Sequence, residues 1–99
     1  MATLTVDLQD GFDGDAVEVV VDGERRWHED AVTTNVAVSL AASVPLEVPD
    51  GPAVVRVAVP GRGLEAQLAV EAAGEVHLAA NVADGGLRLE RLAERPYYL

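Results

Sequence analysis

The sequence predicts an all-β fold, a single antiparallel β-sandwich of seven or eight strands over residues 1–99, and three observations carry that prediction. Apolar residues advance by two through most of the chain: Val17/Val19/Val21, Val36/Val38/Leu40, Val44/Leu46/Val48, Val55/Val57/Val59, Leu64/Ala66/Leu68/Val70 and Val76/Leu78/Ala80/Val82. A period of two puts each set on one face of a strand and turns Glu18, Asp22, Glu47, Arg56, Glu65 and His77 the other way. The breaks between these runs are turn chemistry, Gly and Pro with Asp beside them. Helical periodicity is almost absent, and half-buried strands of this kind are those of an antiparallel sandwich.

Leu4, Val6 and Leu8 alternate with Thr3, Thr5 and Asp7, so residues 2–8 form the first strand. Asp10-Gly11-Phe12-Asp13-Gly14-Asp15 is a loop, with Gly for positive φ and Asp for local backbone bonds. Ala16–Val21 is the second strand, and Val20 on its outward side implies partial cover there. Asp22-Gly23 is the strongest hairpin signal in the chain, returning Glu24–Glu29 as a short polar strand that contains Trp27.

Thr33–Leu40 and Val44–Val48 read as strands joined at a corner or bulge by Ala41-Ala42-Ser43. Pro45 and Pro49 cannot donate to a ladder, which places the second of these at a sheet edge. Pro49-Asp50-Gly51-Pro52 turns the chain into Ala53–Val59. Leu64–Glu71 and Glu75–Val82 follow, joined by Pro60-Gly61-Arg62-Gly63 and Ala73-Gly74. Asp84-Gly85-Gly86 then leads into Leu87–Leu92. Residues 87–95 also fit a helical stripe through Leu89, Leu92 and Ala93, but the preceding strand needs a partner, which favours a strand.

With 99 residues and no cysteine, the chain folds on Val, Leu and Ala, without a disulfide framework, zinc ribbon or thiol nucleophile. The net charge of −10 tells against nucleic acid and anionic membrane surfaces as partners. All basic residues are Arg; the composition fits either a GC-rich codon bias, which explains the missing Lys but not the acidic excess, or a salt-rich cytoplasm, where a carboxylate-covered surface keeps protein soluble. The start MATLTVDLQD has neither the basic flank nor the apolar run of a signal peptide, and no segment has the length of a membrane span, so a cytoplasmic location is expected.

Two segments resemble a known family. Asp15-Ala-Val-Glu-Val-Val-Val-Asp-Gly-Glu24 is similar to the strand and turn that open PEGA-type modules. Residues 48–82 are similar to the second half of those modules and of carboxypeptidase regulatory-like domains. A Gly-x-Thr-Pro segment of that family is replaced here by Arg25-Arg26-Trp27-His28-Glu29-Asp30 and an extra strand. The resemblance implies a prealbumin-like or immunoglobulin-like sandwich used as a non-catalytic binding or spacer module. Transthyretin-like hydroxyisourate hydrolases have similar size and architecture, with a Tyr-Arg-Gly-Ser tail. This chain ends Pro96-Tyr97-Tyr98-Leu99, a departure that tells against the hydrolase.

No catalytic constellation stands out. Ser39 and Ser43 have no neighbouring His in sequence, and nucleophilic catalysis needs a base beside the hydroxyl. His77 occupies an outward strand slot. His28, in Trp-His-Glu-Asp, is either a polar hairpin end or part of an acid–base site, and a site using both histidines requires their strands to meet. Asp10, Asp13 and Asp15 are the metal-ligand candidates; Ca²⁺ takes oxygen ligands from such loops, although the D-x-D-x-D-G register is lacking and Asx-turn duty explains them as well. Phe12 and Trp27 fall outside the periodic core positions, either plugging the sandwich ends or, with Tyr97, Tyr98 and Leu99, contacting a partner. The resulting expectation is a module, not an enzyme, that binds an unidentified protein or a second copy of itself as a homodimer. No cofactor is expected apart from Ca²⁺. The alternatives are a Ca²⁺-stabilised sandwich using the Asp10–Asp15 loop and a small hydrolase with an acid–base site including His28.

Overall fold

Apolar alternation drives eight strands into two facing sheets. The computed structural model describes residues 1–93. The strands are β1 (Ala2–Leu8), β2 (Asp15–Val21), β3 (Glu24–Val32), β4 (Ala42–Val48), β5 (Gly51–Val59), β6 (Leu64–Ala72), β7 (Glu75–Ala83) and β8 (Gly86–Leu92), with one 3-10 turn at Pro60–Arg62. One sheet has the order β4-β1-β7-β8 and the other β3-β2-β5-β6. Leu4, Val6, Leu8, Val44, Val76 and Leu78 from the first meet Val17, Val19, Val55, Val57 and Val59 from the second in one apolar core. Full burial of each such side chain contributes about 1.5–3 kcal/mol before entropy is counted. Leu64 and Leu68 pack on that core from its margin.

The antiparallel expectation holds for every pairing except one. Strand β1 runs antiparallel to β4 but parallel to β7, with Thr5 beside His77 and Asp7 beside Ala79. Strands from distant parts of the chain need no hairpin between them, so nothing in the local turns dictates their relative direction.

Local turn chemistry is expressed as the sequence predicts. Asp22 and Gly23 both have positive φ, +49° and +82°, the pattern of a type I′ hairpin. Pro45 lies in β4, an edge strand. Residues 86–92 are strand β8, paired with β7 from Ala83↔Gly86 to His77↔Leu92. Val20 is covered, at 5% exposure, although it faces away from the core.

Thr33–Leu40 is not a strand. The segment crosses from β3 in one sheet to β4 in the other and closes into a turn at the Asn35↔Leu40 bridge. Asn35 accepts the Ala37 N–H on Oδ1, and Ser39 takes φ +55°. Val36 therefore lies 88% exposed and Val38 only half-buried, outside the core expected for them. Thr33 and Thr34 are occupied instead with the Asp10–Asp15 loop. Thr33 Oγ1 accepts the Gly14 N–H, while Thr34 Oγ1 accepts the Phe12 N–H and donates to the Gln9 carbonyl.

Candidate functional site: an exposed serine on a buried aspartate

Strand parity places Leu4, Val6 and Leu8 in the core and Thr3, Thr5 and Asp7 on the opposite face of the β4-β1-β7-β8 sheet. Asp7 is nonetheless only 4% exposed, a buried carboxylate on a face that sequence parity assigns to solvent. Its register neighbour on β4 is Ser43, whose hydroxyl donates to Asp7 Oδ1 at 2.6 Å. Ser43 itself is exposed. On the other side, Ala79 of β7 is fully buried and His77, one pair further along, is half-buried. Thr5, Asp7, Ser43, His77 and Asn81 thus share one polar face. A carboxylate at such a position is expensive unless bonded, and the short Ser43 contact is part of what holds it.

His28 lies on the other sheet. It sits on edge strand β3 opposite Glu18, with Nε2 at 3.0 Å from Asp30 Oδ1. Glu18 is shared by Arg25 at 3.8 Å and Arg56 at 3.9 Å, and Arg56 also meets Glu65 at 3.0 Å. The two histidines lie on outward faces of different sheets, so they form no common site. The side chain of Asp30 is 88% exposed, and no Ser or Thr hydroxyl is bonded to His28 among the described residues.

The Asp10–Asp15 loop is a structural clamp. Arg62 donates from Nε to Asp15 Oδ1 at 3.0 Å and from Nη2 to Asp15 Oδ2 at 2.8 Å, and Nη2 also reaches the Gly11 carbonyl at 3.2 Å. The Asp13 N–H donates to Asp15 Oδ2. Burial raises the Asp15 pKa, but the Asp13 N–H and the Arg62 guanidinium outweigh it and hold the carboxyl below its ordinary value. Asp10 and Asp13 do not converge on Asp15 as ligands: no group of three or more His, Cys, Asp or Glu among the described residues is arranged to hold a metal ion. In this structure Arg62 is the charged partner of Asp15.

Phe12 is a core residue, 3% exposed, and Trp27 is partly buried against the same cluster. Phe12 is therefore withdrawn from the expected contact surface: its loop folds inward between the sheets, held by the bonds of Thr34. Tyr97, Tyr98 and Leu99 lie outside the described residues. Strand alternation turns Asp7 outward, beside the Asp10–Asp15 carboxylates in sequence, and nothing in Thr5-Val6-Asp7-Leu8 signals its burial. Nor does sequence pair Asp7 with Ser43, because β1 and β4 are far apart in the chain.

No family model matches the chain, and no curated protein matches it significantly. Among solved structures, 5-hydroxyisourate hydrolase from Klebsiella pneumoniae is similar over 94% of this chain and 100% of that one, with a TM-score of 0.52 and 22% identity. That likeness shows the fold: the chain is a prealbumin-like β-sandwich. The expected non-catalytic binding or assembly module finds no counterpart in that comparison, because the matched protein is named as a hydrolase. Among the described residues, no helix is long and apolar enough to cross a membrane.

Proposed function

We propose that this protein is a small hydrolase whose site is the outward face of the β4-β1-β7-β8 sheet, and not His28 on β3. The observation that carries the reading is the 2.6 Å hydrogen bond from exposed Ser43 to buried Asp7. It sets a nucleophile and a base in hydrogen-bond reach, with the hydroxyl proton already directed at the carboxylate. Ser43 Oγ attacks a carbonyl carbon as Asp7 takes its proton; the proton then passes to the departing nitrogen or oxygen. Water releases the acyl group from Ser43 by the reverse sequence. His77, on the same face, orients the substrate.

The solved neighbour is named for hydrolysis of 5-hydroxyisourate, which supports a small cyclic amide as the substrate class. The chemistry is assigned to the groups of this sheet face. The test is spectrophotometric. The purified chain should accelerate loss of 5-hydroxyisourate over buffer, and Ser43→Ala and Asp7→Asn should each reduce that rate by about a hundredfold or more. Circular dichroism should show both variants folded. No acceleration by the wild type, or activity undiminished in folded Ser43→Ala, would overturn the assignment.

A further inference from the structure

The hairpin between β7 and β8 borders a solvent-open hollow of about 410 Å³, lined by Asn81, Ala83, Asp84, Gly86, Leu87, Arg88 and Glu90. That volume lies within the range of sites for small molecules, about 300–1,000 Å³. We propose that this hollow binds a small zwitterion, a molecule carrying one carboxylate and one ammonium group.

The argument begins with Arg88. Arg25, Arg26, Arg56 and Arg62 are each engaged by a carboxylate or a backbone carbonyl. Arg88 is exposed and makes no hydrogen bond or ion pair among the described residues, although it lines the hollow. Register puts it opposite Asn81 and puts Glu90 opposite Ala79. Asn81 is held in place: its Oδ1 accepts the Asp10 N–H at 2.9 Å and its Nδ2 donates to Gln9 Oε1 at 2.9 Å. A carboxamide nitrogen carries two hydrogens, so one donor remains for a ligand. Arg88 and Asn81 together suit a carboxylate, which a guanidinium can bind through two parallel bonds.

Charge decides against a simple anion. Asp84 and Glu90 line the same hollow, and the chain as a whole carries −10. A lone carboxylate would meet one guanidinium and two repelling neighbours. A lone amine would leave Arg88 facing its positive charge. A molecule with both groups places its carboxylate on Arg88 and its ammonium on Glu90, two residues further along the same face of β8, so that the attraction of each group is used. The small Ala83 and Gly86 leave room for it. A Cβ added at Gly86 would meet only the Ala83 carbonyl oxygen, at 3.8 Å, and its backbone needs no positive φ. Gly86→Leu is therefore expected to fill the hollow without straining the hairpin.

This inference goes beyond the hydrolytic reading, and its test reads binding, not turnover. Nuclear magnetic resonance titration of the ¹⁵N-labelled full chain uses β-alanine and γ-aminobutyrate as zwitterions, with propionate and propylamine as single-charge controls. At least one zwitterion should shift the Asn81, Arg88 and Glu90 amides saturably, with affinity about tenfold or more above either control. Arg88→Met should weaken that binding by about tenfold or more, and Gly86→Leu should do the same with the wild-type guanidinium still present. Three results would overturn the proposal: no saturable shift with either zwitterion, equal response to a control, or binding that survives Arg88→Met in a folded chain.

Discussion

Arg62 grips Asp15 through two separate nitrogens, at 3.0 and 2.8 Å, and so ties the turn after β5 to the start of β2. A bidentate pair of this kind is geometrically demanding and stronger than an ordinary surface ion pair. Its Asp15 side is 12% exposed and its Arg62 side 36%, so solvent screens it only in part.

The first prediction concerns acid. The folded Asp15 pKa lies below the ordinary value of 3.8, so the unfolded chain takes up this proton first as pH falls. The contribution is fully present above the unfolded pKa and is lost as pH drops through the folded one. Asp15→Asn should cost about 1–2 kcal/mol at pH 7, after allowance for screening. Denaturant titrations should show that cost shrinking below about pH 4. A cost that stays constant to pH 2 would mean the carboxylate charge is not what stabilises the clamp.

Gly11 is required on two counts. Its φ is +91°, and a Cβ there would lie 2.0 Å from the Val82 carbonyl oxygen, which is backbone on β7. Gly11→Ala should therefore destabilise by about 3 kcal/mol or more, since strain and a clash that no rotamer relieves act together. Gly14→Ala has open space around its Cβ and only the positive φ of +64° to bear, so its melting temperature should fall less. Equal losses would argue that Gly11 does not approach Val82 so closely.

Two valines of similar sequence context should respond in opposite ways to the same charge. Val57 is fully buried between the sheets, and Val57→Asp should unfold the chain, because an unpaired buried carboxylate costs several kcal/mol, on the order of the whole stability. Val36, 88% exposed in the turn between β3 and β4, should accept Asp within about 0.5 kcal/mol. Thermal melts of the two variants give the answer directly.

Gly23 tests the hairpin. With φ +82° and open space around it, its replacement by Val meets backbone strain without a clash, and a loss of about 1–2 kcal/mol is expected. An unchanged melting temperature would show that the β2–β3 turn tolerates another geometry.

Salt should raise the melting temperature. Seven basic residues face 17 carboxylates, and the resulting self-repulsion is screened as the Debye length falls from about 10 Å at 0.1 M to about 3 Å at 1 M. A flat response to NaCl would mean that local pairs such as Arg56 with Glu18 and Glu65 already neutralise the acidic clusters.

Sequence alone determined the features that depend on a few adjacent residues. Val17, Val19 and Val21 face the core because alternation leaves them no other face to bury, and Asp22-Gly23 turns because those two residues tolerate positive φ. Tertiary structure decided whatever depended on a partner distant in the chain. Thr33–Leu40 alternates as well as any strand here, yet it has to cross between the sheets, and its threonines serve the Asp10–Asp15 loop. The parallel pairing of β1 with β7 joins strands far apart in the chain, a relationship no local pattern encodes. Alternation alone makes Asp7 an ordinary solvated residue of β1, and loop composition alone leaves Asp15 between a metal ligand and a turn residue. Ser43 from β4 and Arg62 from the turn after β5 gave them their roles, because a carboxylate's chemistry is set by the donors that folding brings to it.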